Sequence, residues 1–216
     1  MKSLFKTSFF SFSFLASAVL FFSCSASEPA VLAVNSAVVF DYSASTLPEV
    51  SLSVFVQTEN EAQRAKTLKV DLKSQNLSWT VIEPVTISHN RKNWAGYPSL
   101  KVPSGQKIAN GDYEILYTQA DGEEVSAVFK VDYDEKLLET EFENVRNVAG
   151  SSLSEITVLY DKEMNMLFYG TAKKSWKTNS NILRDYTRAV YRRKVLTNVS
   201  GNLVFKPPLE KLSENR

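Results

Sequence analysis

The chain is expected to be mainly β, an antiparallel sandwich followed by a small α+β unit. Three observations carry this expectation. Between residues 34 and 133, apolar, β-branched and aromatic residues alternate with polar ones, the period-two signature of half-buried strands. Turn-forming residues break this alternation into short runs. After residue 133 the pattern becomes one stretch of helical spacing, then two pairs of short apolar runs around polar turns.

Seven runs read as strands: 34–42, 49–58, 67–72, 77–83, 97–102, 112–118 and 124–133. Apolar density in Val54-Phe55-Val56 and Val128-Phe129-Lys130-Val131 implies burial of at least one face. Asp121-Gly122 joins the last two as a hairpin, because glycine supplies the positive φ of a tight turn. Trp79, in the fourth run, is expected in a central strand that buries its indole. The segment Ile108-Ala109-Asn110-Gly111-Asp112-Tyr113 leads into Glu114-Ile115-Leu116-Tyr117. A turn followed by tyrosine at a strand start resembles the tyrosine corner of immunoglobulin-like and fibronectin type III-like sandwiches, with Tyr113 at the corner. The resemblance spans residues 34–133 and implies an architecture. It implies no activity, and the paired cysteines of that family are absent.

Residues 134–152 form a helical linker in this reading. Leu137, Leu138, Phe142, Val145 and Val148 recur near helical spacing with charges between them, and Gly150 ends the stretch. Residues 153–209 make the small α+β unit. It has a hairpin of 156–160 with 166–170, a short helix over 179–186 capped by Asn179 or Ser180, and a second hairpin of 189–197 with 202–206. At about 60 residues such a unit is marginal alone and is expected to pack on the sandwich. Residues 210–216 are a charged tail.

The first 23 residues have a different origin. Lys2 and Lys6 precede an uncharged run rich in Phe, Leu, Ala and Val, which then gives way to small residues. These are the regions of an export signal. The run ends in Leu20-Phe21-Phe22-Ser23-Cys24-Ser25. This resembles a bacterial lipobox in relaxed form, with Ser23 in the small position and Phe21 where leucine is usual. The resemblance implies cleavage before Cys24 and acylation of its thiol, palmitate included. Residues 24–33 then form a lipidated tether. It further implies a protein held at a membrane and facing an extracytoplasmic space, periplasm or cell surface. Cys24 is the only cysteine, so no internal disulfide forms.

Of 25 basic and 24 acidic side chains, Lys2 and Lys6 leave with the signal, so the mature chain carries a net charge of −1. That balance argues against nucleic acid as a partner. One histidine, His89, and one cysteine leave no Cys/His zinc cluster and no thiol catalysis. Neither phosphate-cradling glycine motif occurs, and no cofactor is implied. Asp132, Asp134 and Glu135 are calcium-type ligands without the glycine of a binding loop, and read as a solvated acidic turn.

Two features suggest recognition. Trp94 and Tyr97 sit among polar residues in 90–98, read as an inter-strand loop, where aromatics anchor partners or stack on sugars. Lys173, Lys174, Lys177, Arg184, Arg188, Arg192, Arg193 and Lys194 face a single acid, Asp185, between residues 171 and 194. Such a basic stretch suits anionic headgroups or an acidic polymer, unless the acidic segment 132–143 neutralises it. The expected function is a non-enzymatic envelope lipoprotein, structural, adhesive or protein-binding. Glycan binding through Trp94 and Tyr97, or hydrolysis by paired carboxylates, are the alternatives.

Overall fold

The computed structural model describes residues 31–58, 65–75, 77–89, 91–103, 106–150 and 152–213. Cys24 and the whole export segment lie outside the described residues. Among these, no helix is long and apolar enough to cross a membrane.

Among the described residues thirteen strands form. The first eight are β1 (Val31–Asp41), β2 (Glu49–Thr58), β3 (Ala65–Leu72), β4 (Leu77–Ile82), β5 (Val85–His89), β6 (Lys92–Lys101), β7 (Gly111–Gln119) and β8 (Glu124–Val131). Two short α-helices, α1 (Val145–Ala149) and α2 (Asn179–Asp185), fall among β9 (Ser154–Tyr160), β10 (Met166–Gly170), β11 (Tyr191–Thr197), β12 (Leu203–Lys206) and β13 (Glu210–Lys211). One sheet runs β10-β9-β11-β12-β1-β2-β6-β5, with β13 also on β11; the other runs β4-β3-β7-β8. All pairs are antiparallel except β1 with β12. The mainly β, antiparallel class expected from alternation is the one that forms.

The two sheets share one core. Val38, Phe40, Leu52, Val54 and Val56 come from the first sheet, and Leu68, Val70, Tyr113, Ile115 and Phe129 from the second. Burial in β7 alternates strictly, as a strand with one covered face requires. Each fully buried side chain of this size contributes roughly 1.5–3 kcal/mol. The buried tyrosines add polar ties to the connecting segments. Tyr113 Oη donates to the Ala109 carbonyl at 2.8 Å, the bond of a tyrosine corner. Tyr133 Oη donates to the Ile108 carbonyl, and Tyr42 Oη to that of Thr140 at 3.1 Å.

The segment 153–209 is hydrogen-bonded into the first sheet. Val38 to Asp41 pair in parallel with Leu203 to Lys206, and β11 links that strand to the β9–β10 hairpin. A second small core of Leu159, Ile182, Ala189 and Leu212 sits between this part of the sheet and α2.

Three local expectations are corrected. Residues 134–148 make two 3-10 turns (Glu135–Glu139 and Phe142–Asn144) and then α1, not one helix. Thr140 and Glu141 are extended between them, and the Thr140 carbonyl is taken by Tyr42 instead of by a helical N–H. Trp79 lies in β4, an edge strand, half-buried and stacked 6.4 Å from Tyr113. The cap of α2 is Thr178, one residue earlier than expected, in a reciprocal pair with Asn181.

Candidate functional site

β4 and β5 are nearly one strand that changes sheets. Glu83, at φ 53°, and Pro84 separate them; among the described residues β4 pairs only with β3, and β5 only with β6. β5 covers Lys92 to Gly96 of β6 and stops. From Tyr97 to Lys101, β6 pairs only with β2 among the described residues. Two unpaired strand edges therefore border one open groove of about 530 Å³, lined by β4 from Ser78 to Ile82 and by Tyr97, Ser99, Leu100 and Lys101.

The groove is apolar at its base, and its exposed residues mix Ser78, Thr80 and Lys101 with Tyr97 and Ile82. Trp79 and Val81 lie opposite Val70 and Leu68 in the ladder, so they share the inner face of their sheet. Trp79 Nε1 donates to the Lys101 carbonyl at 2.7 Å, which pins the indole across the groove floor. Tyr97, opposite the buried Val54, is 39 % exposed, and Ile82 at the far end of β4 is 74 % exposed. The Lys101 ammonium is held 2.8 Å from Glu49, which raises its pKa through that hydrogen bond.

Of the segment 90–98, expected as a loop, residues 92–98 belong to strand β6, and this corrects its placement. Trp94 and Tyr97 are three residues apart in a regular stretch, so their side chains leave opposite faces. Tyr97 borders the groove. Trp94 lies on the outer face between Gln57 and Ile87, beside Phe55, whose ring covers Gly96. The two aromatics do not form a common platform. His89 is the last residue of β5.

The basic stretch is divided as well. Lys173 sits 2.9 Å from Asp185, 5.4 Å from the Trp176 ring centre and 5.7 Å from that of Tyr186. Trp176 Nε1 donates to the same Asp185 oxygen at 2.8 Å, and these two donors hold the carboxyl below its ordinary pKa. Arg192 is clamped on Glu210, and Lys194 faces Glu155 at 3.9 Å. Arg193, on the opposite face of β11, donates to Ser43 Oγ at 3.1 Å. Lys174, Lys177, Arg184 and Arg188 are exposed. The partners of the paired cations are Asp185, Glu210 and Glu155; the acids of 132–143 act elsewhere. Asp132 pairs with Lys130, Glu135 pairs with Lys107, and Asp134 caps a turn through the Lys136 N–H.

Sequence reasoning missed the groove because its residues belong to strands that meet only through the sheet order. The readable signal was Glu83-Pro84 after a run of alternation, a break that ends one strand and starts another. No family model, curated protein or solved structure matches the chain.

Proposed function

We propose that this protein is a bacterial envelope lipoprotein, anchored through acyl chains on Cys24, which captures an extended segment of another envelope component. The groove between β4 and β6 carries the reading. Apart from the Lys101 carbonyl, which Trp79 holds, the outward N–H and C=O groups of the two borders have no partner strand among the described residues and offer main-chain hydrogen bonds to an added strand. Trp79, Val81, Tyr97 and Leu100 offer apolar contact to alternate side chains of that strand. Main-chain pairing supplies affinity and these four residues supply selectivity.

The role is recognition without chemistry. A hydrolase with paired carboxylates needs one carboxyl that keeps its proton near neutrality through burial. Two cavities bring carboxylates together: Glu141 with Glu143, both exposed, and the half-buried Asp41 with Glu49, which is exposed and paired with Lys101. A glycan platform built from Trp94 and Tyr97 together is disfavoured by their opposite faces. The N-terminal sequence supports a location on a membrane, facing the periplasm or the cell surface.

The test places a photo-crosslinking amino acid at Tyr97 in the full chain, expressed in its native envelope. A discrete adduct is expected there and not at Val199, an exposed turn residue remote in sequence from the groove. Equal smears at both positions reject strand capture. Intact mass and fractionation of wild type and Cys24→Ser test the anchor: an unmodified wild-type protein in the culture fluid rejects it.

A further inference from the structure

At the end of the first sheet, three segments distant in sequence line a second cavity of about 400 Å³ that is open to solvent. None of the groove residues lines it. β1 ends at Asp41 and the chain turns outward; the 3-10 turn at Phe142 and the Pro208 segment complete the wall. Phe142 stands edge-on to Tyr42, ring centres 5.4 Å apart and planes at 68°. Tyr42 is fixed through its hydroxyl on the Thr140 carbonyl. Phe142, braced by the buried Tyr42, and Pro208 give one side of the cavity an apolar surface.

Glu141 and Glu143 flank Phe142 on this wall; the Glu141 backbone carbonyl accepts from the Asn144 N–H, and neither carboxylate makes an ion pair or hydrogen bond with a described residue. Arg193 reaches the same wall by donating to Ser43 Oγ. One positive charge against two negative ones leaves the cavity acidic. Of its hydroxyls, Ser45 donates to the Leu47 carbonyl and Ser43 accepts from Arg193, so both have partners within the chain. The volume is that of a small-molecule site, the apolar lining suits a hydrocarbon skeleton, and the uncompensated charge repels anions.

We propose that this cavity binds a small organic cation, an alkylammonium or quaternary ammonium group. Its charge lies with Glu141 and Glu143, and its carbon skeleton rests on Phe142 and Pro208. An aromatic ring beside paired carboxylates attracts such a cation through both the ring quadrupole and the net charge. The site is independent of strand capture at the groove.

Calorimetric titration of the full chain in detergent tests this with three probes: choline, n-butylammonium and the uncharged tert-butyl analogue of choline. At least one cation is expected to bind saturably, with the uncharged analogue weaker by about tenfold or more. The double substitution Glu141→Gln and Glu143→Gln should weaken that cation by about tenfold at unchanged thermal midpoint, and Phe142→Leu, which also loosens the packing on Tyr42, by about threefold. Glutamine at exposed positions preserves the fold, so lost affinity reports charge. Absence of saturable binding by both cations overturns the proposal. So does equal affinity for the uncharged analogue, or binding that survives both glutamine substitutions.

Discussion

Tyr113 donates its buried hydroxyl to the Ala109 carbonyl at 2.8 Å, tying the start of β7 to the loop that precedes it. The bond does two things: it satisfies a phenol inside the core and fixes how the chain enters the second sheet. Tyr113→Phe keeps the packing and strands the Ala109 oxygen. A loss of about 1–2 kcal/mol is expected, visible as a fall of roughly 2–6 °C in thermal midpoint. An unchanged midpoint removes the corner from the stability of the fold.

Alkali should unfold the protein through the same group of rings. Burial pushes Tyr42, Tyr113 and Tyr133 each up to about 12, from an ordinary value of 10.0. Between those values the unfolded chain has released protons that the folded chain retains. Stability is therefore whole below about pH 10 and declines as pH rises towards about 12, by roughly 1.4 kcal/mol per pH unit for each ring. Urea midpoints taken across this range check it. A profile that stays flat to about pH 11.5 contradicts the burial of these phenols.

Gly96 has no room for a side chain. A Cβ there meets the Val54 carbonyl oxygen at 2.1 Å and the Phe55 Cα at 2.6 Å, both backbone atoms. Gly96→Ala should therefore force β2 and β6 apart and cost about 3 kcal/mol or more. Gly122→Ala is the contrast: nothing lies within 4 Å, and the cost is confined to φ +89°. About 1 kcal/mol is expected there. Comparable midpoints for the two variants refute the close approach at Gly96.

The turn between β9 and β10 is organised by one carboxylate. Asp161 Oδ1 accepts from the Asn165 N–H at 2.8 Å and from the Glu163 N–H at 3.0 Å, and Oδ2 accepts from Asn165 Nδ2. The Asn165 side chain is the chief cause of a pKa held below the ordinary carboxylate value. This contribution is present at neutral pH and is lost as pH falls through the acidic range. Asp161→Ala should lower the thermal midpoint at neutral pH, with Asp161→Asn intermediate. The gap between wild type and Asp161→Asn should close in acid. A gap independent of pH assigns the turn to shape alone.

How much of this was legible follows from the range of each interaction. The alternation in β7 and the bounds of β2 are local, and the sequence reading placed both. Tyr113 was readable because its partner is four residues away. The parallel pairing of β1 with β12 spans most of the chain and leaves no local signature. The helical linker read over 134–152 is broken into two 3-10 turns and α1 for a related reason, since Tyr42 claims the Thr140 carbonyl across 98 residues. Tyr97 was singled out as a binding residue, but its partner across the groove, Trp79, was assigned to the core. Only sheet order puts the two on one groove.

That order also gives the sharpest test of the groove. Ile82 is 74 % exposed on an edge strand that bears no charged residue between Leu77 and Ile82. A lysine on an edge strand opposes the addition of a further strand. Ile82→Lys removes little buried area, so stability should stay within about 0.5 kcal/mol of wild type. The adduct formed from position 97 should nevertheless disappear. If the adduct persists at wild-type yield in the folded variant, the partner does not enter along β4, and the groove is not where it is held.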